Sequence, residues 1–369
     1  MKKLLFAINV GWYYDLHWKH RVDSTMTTGY SPHLCMSKPT KITGNIHSLS
    51  LKRSSLGIVD NVKTFCQTIT IFNKVKPDLI HSVTIKPNIM FGLLAWYSKV
   101  PILLTVPGVG SMFSQTKWSS KLVAKLILCL YRLVGRNKRS RFVFENSTDM
   151  QLFIENNICT TFNGFTVPGS GVDVDEYRAE CIEVTPQSLK LLFAARLLEG
   201  KGLRELVQAV ESLKSKGLDV ELNVAGIVDD DSNEAISIKQ LEDWHQQGKV
   251  NWIGQVNNAM CDVISANDVV VLPTRYGEGL PRILIEANAC QRPVISTNIA
   301  GCKDFVIDGE TGLLVSPSDQ AALENAILKL SDRQYSRKLG IKGREHVLSK
   351  YTVKHVIASY KKIYDDLQV

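Results

Sequence analysis

No apolar run in this chain of 369 residues approaches the roughly 18–20 residues needed to cross a bilayer. An integral membrane protein is therefore excluded. No CxxC pair occurs among the eight cysteines, at positions 35, 66, 129, 159, 181, 261, 290 and 302, so neither a zinc ribbon nor a thioredoxin-type site is expected. Scattered thiols of this kind suit a reducing compartment. No repeat of fixed period is visible. Acidic residues are missing altogether from 79–144, a stretch that holds ten Lys/Arg. That gap belongs to a wider imbalance. Residues 1–170 carry 21 Lys/Arg against 7 Asp/Glu, a net +14, while 171–369 carry 23 against 29, a net −6. A basic half joined to a mildly acidic half points to a polyanion or an anionic membrane surface as a partner of the first half. Apolar residues make up 44% of the chain and charged residues 22%, enough for a real core and far from a disordered composition. At roughly 150 residues per domain, the length favours two domains.

Lys2 and Lys3 followed by the apolar run Leu4 to Val10 share the opening of a secretory signal. The run is short, however, and Trp12, Tyr13, Tyr14 and Asp15 follow it where a small-residue cleavage site would stand. A buried first strand that ends at Gly11 and feeds a loop is the expectation. Short apolar runs then alternate with longer amphipathic segments, the pattern of parallel βα units. Strands are expected at 3–10, 78–83, 101–106 and 141–145, and again at 188–196, 218–227, 250–254, 269–273 and 293–297, with helices such as 202–216 and 281–290 between. Gly164-Phe-Thr-Val-Pro-Gly-Ser-Gly171 and the polar stretch after it read as an irregular linker. The expected fold class is α/β, two Rossmann-like doubly wound domains facing across a cleft, over 1–168 and 180–350. In such folds ligands bind beyond the carboxyl ends of the strands.

The segment Pro273 to Glu286 carries the clearest chemistry. A strand runs into a Gly-rich turn, and Pro281 stands where a helix starts, a preferred first-turn position. The amides near 279–283 and the helix dipole would form an anion pocket, with Glu278 at its mouth and Glu286 about a turn and a half inside. Each carboxylate also has a plainer reading, an offset of the dipole or a surface residue.

Glu278 and Glu286, with seven residues between them, together with Gly279-Leu280-Pro281, resemble the E-x7-E motif and G-x-P turn of the retaining glycosyltransferases of family 4, which have the GT-B fold. Three further segments resemble that family in order: Gly169-Ser170-Gly171-Val172-Asp173, Arg196-Leu-Leu-Glu-Gly-Lys201-Gly202, and Gly301-Cys302 followed by Asp308 to Val315, which is similar to the loop and hairpin that close the donor site. The resemblance implies a nucleotide diphosphate-sugar donor. Arg196 and Lys201 would hold its diphosphate, as a planar fork and a point charge. Glu286 would bind the ribose hydroxyls. Glu278, the catalytic candidate, would bind hydroxyls of the transferred sugar, and Gly11, Gly279, Leu280 and Pro281 would line the donor site. Cations and helix-start amides aimed at the leaving diphosphate would dominate catalysis, so no metal or other cofactor is expected. Asp229-Asp230-Asp231 reads as a polar loop rather than a D-x-D metal site. The resemblance also implies that Tyr351 to Leu367 forms a helix packing back on the first domain, and that hinge motion around 165–180 excludes water from the donor.

The first half would hold the acceptor. His20-Arg21, then His81 with Lys86-Pro87-Asn88, and Thr105 to Phe113 resemble segments of enzymes that assemble O-antigen and capsule on lipid carriers. This chain has His81-Ser82-Val83 where many relatives have H-x-H, and Pro107 where they have His. His81 is therefore read as a packing or hydrogen-bonding residue. Gly108 and Gly110 lack the third glycine of a dinucleotide site. Lys117, Lys121, Lys125, Arg132 and Arg136 fall on one face of a helix. Leu122, Val123, Leu126, Leu130, Leu133 and Val134 fall on the other. This is a basic amphipathic helix, either a domain helix with a solvated basic face or a docking element for an anionic leaflet. Trp12, Tyr13, Tyr14 and Trp18 come with no nucleic-acid recognition motif, so nucleic acid is not an expected partner.

The sequence thus leads to a cytoplasmic enzyme, peripheral on the inner face of the membrane. It would transfer a sugar, galactose or an N-acetylhexosamine, from a UDP-sugar to a polyprenyl-diphosphate-linked glycan with retention. A UDP-sugar 2-epimerase of the same architecture and a non-catalytic sugar-nucleotide-binding protein are the alternatives.

Overall fold

The structure, a computed structural model, describes residues 1–367 except 28, 40–43, 53–56, 110–117, 179–187, 230, 231, 233, 257 and 258. The chain forms two compact units, Met1–Ser170 with Val353–Val369, and Gly171–Thr352.

In the first unit seven parallel strands, β1 (Lys2–Val10), β2 (Tyr30–Ser37), β3 (Asn45–Ser48), β4 (Leu79–Val83), β5 (Ile102–Val106), β6 (Ser140–Phe144) and β7 (Gly164–Thr166), lie in the order β3-β2-β1-β4-β5-β6-β7. Both faces are covered, which is why β1 and β5 carry the apolar runs Leu4 to Ile8 and Ile102 to Leu104. Leu5 and Ala7 of β1 face one core with Ile80, Phe91, Tyr131 and Phe142. Leu4, Phe6 and Ile8 face the other, where Trp18 and Val22 meet Val356, Tyr360, Ile363 and Tyr364. These last four lie on the helix Val353–Leu367, so residues from the far end of the sequence complete this core.

Three features differ from the sequence reading. Gly11 does not feed a loop: β1 passes directly into a helix, Gly11–His17. Gly164–Thr166 is not linker but the edge strand β7, paired in register with Phe142–Phe144. β2 and β3 were not foreseen at all.

The helix Trp118–Gly135 is rotated from its expected facing. Its buried residues are Ala124, Tyr131 and Val134. The Tyr131 hydroxyl lies 3.2 Å from Asn88 Nδ2, and Val134 packs against Gly92, where a Cβ would stand 2.6 Å from Val134 Cγ1. That packing turns Leu122 and Leu126 outward, 56% and 59% exposed.

The second unit holds six parallel strands, β8 (Leu189–Ala194), β9 (Val220–Ala225), β10 (Asn251–Gly254), β11 (Val269–Leu272), β12 (Val294–Thr297) and β13 (Gly312–Val315), in the order β10-β9-β8-β11-β12-β13. The strand order reverses beside β8, placing a switch point between the loops that leave β8 and β11, where such sheets bind ligands. The expected hairpin near 308–315 is instead the parallel edge strand β13, preceded by a turn in which Asp308 Oδ1 accepts from the Leu314 amide at 2.9 Å.

His81 lies at 0% exposure on β4, with Nδ1 2.5 Å from the Tyr364 hydroxyl and Nε2 2.8 Å from Thr105 Oγ1. Burial, reinforced by nearby Arg21, holds its pKa well below the usual 6.5. The unfolded chain takes up this proton near pH 6.5 and the folded chain only much lower, so this contribution to stability is present above 6.5 and is lost as pH falls toward the folded value. Urea unfolding between pH 7 and 5 is expected to lose up to about 1.4 kcal/mol per pH unit from this one group. His81→Gln is expected to flatten that slope, and an unchanged slope would show that His81 does not carry it.

Candidate functional site

At the switch point of the second sheet the backbone is unusually close-packed. The loop leaving β8 ends in a short 3-10 turn, Glu199–Lys201. Gly202 follows at φ +82, where a Cβ would stand 2.1 Å from the Pro273 carbonyl oxygen. A Cβ on Gly200 would fall 2.0 Å from the Tyr276 ring. The Arg275 amide donates to the Gly200 carbonyl at 2.8 Å, and Arg275 Nη2 donates to the Glu199 carbonyl at 2.9 Å. From the other side Gly301, at φ +82, brings the loop after β12 against Gly279, where a Cβ would stand 2.0 Å from the carbonyl oxygen. Only glycine allows these approaches.

The result is that Lys201 and Glu278, 77 positions apart, meet in an ion pair between Lys201 Nζ and Glu278 Oε1, with both side chains largely buried. Thr274, fully buried, places Oγ1 3.1 Å from the same carboxylate oxygen. The Lys201 ammonium also stands 5.5 Å from the centre of the Tyr276 ring. Arg196 is more open and pairs with Asp229 at 3.1 Å. Asp229 is thus an ion-pair partner of a donor-site candidate. Asp230 and Asp231 lie outside the described residues.

The helix Arg282–Ala289 begins one residue later than the proline suggested: Pro281 is its N-cap, with φ −63 and ψ 111. No side chain caps this end and no acidic residue stands in the first turn. Glu286 does not join Lys201 and Glu278. It is buried, and its Oε1 accepts from the Tyr177 hydroxyl at 2.8 Å and from Arg282 Nε at 2.6 Å. Burial, and then the charge of Glu286, pushes the Tyr177 phenol upward. Cys302, beside Gly301, is buried with its thiol pushed up to about 12 by desolvation, which leaves it inert as a nucleophile. Among the described residues no group of three or more His, Cys, Asp or Glu is arranged to hold a metal ion.

Of the residues singled out in the sequence, the structure joins Lys201 to Glu278 and leaves Arg196 on Asp229 and Glu286 on Tyr177 and Arg282; Thr274, Tyr276, Tyr177 and Arg282, which touch them, were not among the candidates. The i, i+4 spacing of Arg282 and Glu286 was a readable sign. The Tyr177–Glu286 contact had none.

The remaining candidates belong to the first unit. Gly11 is buried at the end of β1. His20 is exposed, whereas its neighbour Arg21 is buried and stacked 4.1 Å from the Trp18 ring centre and 5.3 Å from that of Tyr360. Lys86 Nζ donates to the Lys52 carbonyl at 2.6 Å. It follows Thr84, whose φ of 71 is a strained conformation for a β-branched residue. Lys121, Lys125, Arg132 and Arg136 are exposed. Arg132 is occupied, donating from Nε to the Asn156 carbonyl at 2.6 Å, and Arg136 lies just past the helix end. Lys117 lies outside the described residues.

Two parallel-sheet α/β units, of seven and six strands in this order, are the architecture of the GT-B type. Residues 182–346 match the family described as glycosyl transferases group 1, and residues 3–139 match the family described as glycosyl transferase 4-like. The chain belongs with the glycosyltransferases that combine these two domains: it is a glycosyltransferase with the GT-B fold.

Among its relatives is the capsular polysaccharide biosynthesis glycosyltransferase CapM of Staphylococcus aureus, 26% identical over 332 residues, covering 86% of this chain and 84% of that protein. Another is the N,N'-diacetylbacillosaminyl-diphospho-undecaprenol alpha-1,3-N-acetylgalactosaminyltransferase of Campylobacter jejuni, 24% identical over 331 residues, covering 85% and 83%. Among solved structures, sucrose-phosphate synthase from Thermosynechococcus elongatus superposes with a TM-score of 0.81 at 20% identity over 100% of this chain and 99% of that one. HepE of Anabaena, in complex with UDP and glucose, superposes with 0.79 at 15% identity over 99% and 100%.

The close approach at Gly301 yields a direct test. Gly301→Ala forces a Cβ into the Gly279 carbonyl at a positive φ, so a loss of about 2–3 kcal/mol in unfolding free energy is expected. Gly309, also at positive φ but with open space around it, is expected to cost about 1 kcal/mol as Ala. Equal effects at the two sites would contradict the close packing.

Proposed function

We propose that this chain is a retaining glycosyltransferase that moves a sugar from a UDP-sugar to a polyprenyl-diphosphate-linked glycan in bacterial capsule or O-antigen assembly. The observation that carries the reading is the meeting of Lys201 and Glu278 at the switch point of the second sheet. In this proposal the donor diphosphate displaces Glu278 as the partner of Lys201, and Arg196 supplies a second cation. Released from Lys201, the Glu278 carboxylate accepts from hydroxyls of the transferred sugar, and Thr274 keeps it oriented. Glu286, held by Tyr177 and Arg282, accepts from the ribose hydroxyls, while Gly279, Leu280 and Pro281 leave room for the donor. The bond from the anomeric carbon to the diphosphate breaks and a bond to the acceptor oxygen forms on the same face. The acceptor hydroxyl proton leaves with the diphosphate. Lys201 and Arg196 stabilise the charge that develops on the leaving group, and no resident metal is required.

Relatives support the substrate class. One is named for capsule biosynthesis, another for transfer to a diphospho-undecaprenol-linked sugar, and a structural neighbour was solved with UDP. Galactose or an N-acetylhexosamine is the proposed sugar. For the first unit we propose acceptor binding, with His20 and Lys86 near the acceptor. We further propose docking on the anionic inner leaflet of the membrane from the cytoplasm through the helix Trp118–Gly135. No described helix is long and apolar enough to cross a membrane. On the docking helix, Lys121 and Lys125 stand beside the outward-turned Leu122 and Leu126, the mixture that an interfacial helix presents to headgroups and acyl chains.

Arg196→Ala, Lys201→Ala and Glu278→Ala are each expected to lower turnover by about 100-fold or more with unchanged circular dichroism. Wild-type rates in folded variants would reject the assignment. UDP is expected to raise the melting temperature with EDTA present, corresponding to about 2.7 kcal/mol at 100 times its Kd, and Glu286→Ala is expected to abolish the shift. Lys121→Glu with Lys125→Glu is expected to weaken flotation with anionic vesicles by about tenfold or more, at about 1 kcal/mol per cation. Arg132 is left in place because it anchors the Asn156 carbonyl.

A further inference from the structure

The helix Ile58–Val75 packs Ile71, Phe72 and Val75 on the core at its C-terminal end, but its N-terminal half turns hydroxyls inward. Its buried residues are Thr64, Thr68, Ile71 and Val75. Thr64 and Thr68 satisfy their hydroxyls on helix and loop carbonyls, Thr64 on Asp60 and Ser50 at 2.8 and 2.9 Å and Thr68 on Thr64 at 2.9 Å. Meanwhile Ile58 and Val59 stand 81% and 82% exposed, and Val62, Cys66 and Ile69 are exposed with them. At about 100 degrees per residue these five fall within an arc of about 100 degrees. Over the N-terminal half two hydroxyls lie inside and an apolar stripe outside, the reverse of ordinary partitioning. A patch of this kind marks an interaction surface.

The topology indicates what covers it. The helices Ile58–Val75, Ile85–Ser98 and Trp118–Gly135 lead back from β3, β4 and β5, which are parallel, so all three begin at the same end of the unit. The first packs beside the second, and the second beside the third. Ile58, Val59 and Val62 occupy the first turns of one outer helix. Trp118, Leu122 and Leu126 occupy the first turns of the other, Trp118 at 79% exposure. Two aliphatic patches thus stand at one level with a basic strip around them: exposed Lys52 and Lys63 beside the first, Lys121 and Lys125 beside the second, and Lys86 on the helix between. The one acidic residue of the first helix, Asp60, is paired with Lys52 at 3.2 Å. Two patches at one level fit a flat partner, and the charge fits an anionic one.

We infer that the helix Ile58–Val75 is a second membrane-contacting element, which inserts Ile58, Val59 and Val62 among the acyl chains of an anionic leaflet while Lys63 meets its phosphates. This rests on the membrane reading of the same unit proposed above, and it predicts two separable contacts rather than one.

The test uses the full chain and vesicles of phosphatidylglycerol and phosphatidylethanolamine. The triple variant Ile58→Ser, Val59→Ser, Val62→Ser is expected to partition at least about tenfold more weakly with an unchanged melting temperature, since all three side chains are exposed. An environment-sensitive dye on Cys66, with Cys129, Cys181 and Cys261 replaced by Ser, is expected to shift to the blue when vesicles are added. Unchanged partitioning and an unshifted dye, while Lys121→Glu with Lys125→Glu still loses binding, would overturn this inference and leave the other helix as the docking element. No effect from either set would overturn both. A dye shift that follows protein concentration without vesicles, with a doubled native mass, would assign the stripe to a second copy of the chain and also overturn it.

Discussion

The second unit depends on how closely three loop backbones can approach one another. Gly200, Gly202 and Gly301 remove the side chains that would keep the loops leaving β8, β11 and β12 apart. Everything chemical at that place follows from this. A lysine from one loop and a glutamate from another are brought together and partly buried, beside a buried threonine hydroxyl and an aromatic face. A buried ion pair is poor evidence of stabilisation, because desolvation offsets much of its attraction. In the proposed reaction each charge instead holds the place of a substrate group: the lysine exchanges the carboxylate for phosphate, and the carboxylate exchanges the ammonium for hydroxyls.

The first unit is governed by a different constraint. Its sheet is covered on both faces, and the helices on one face do not spend all their apolar residues on the sheet. In the helix Trp118–Gly135, the tyrosine and small residues that pack inward leave leucines outside. In the helix Ile58–Val75, threonines take the inward positions because each can return its hydroxyl to a carbonyl of its own helix or a neighbouring loop. The aliphatic side chains displaced to the surface lie among lysines, so charge and apolar area point to the same side.

Much of this was legible in the sequence. Central strands such as β1, β8 and β11 announce themselves by apolar runs because they are buried on both faces. The strands that escaped have identifiable reasons. β2 carries Pro32 and His33, β3 is four residues at an edge, β7 opens with a glycine in a stretch that reads as linker, and β13 was hidden in a glycine-rich segment. Helix facing was legible only in part, because Ala124 and Tyr131 count little in an apolar tally yet form the contact. At the site, motif spacing identified Glu278 and Glu286, but spacing along a chain says nothing of which residue meets a carboxylate from elsewhere. That Lys201 meets Glu278, and that Tyr177 meets Glu286, is information held by the fold.

The helix Val353–Leu367 also sets a schedule. Val356, Tyr360 and Tyr364 fill one face of a sheet whose first strand begins at Lys2, and Tyr360 closes over the buried Arg21 guanidinium. During synthesis the second unit has all its residues before that helix emerges from the ribosome. The first unit is therefore completed only after the second has all its residues, with Trp18, Arg21 and His81 uncovered until this helix arrives. The core around β1 thus waits on residues that lie beyond an entire other unit.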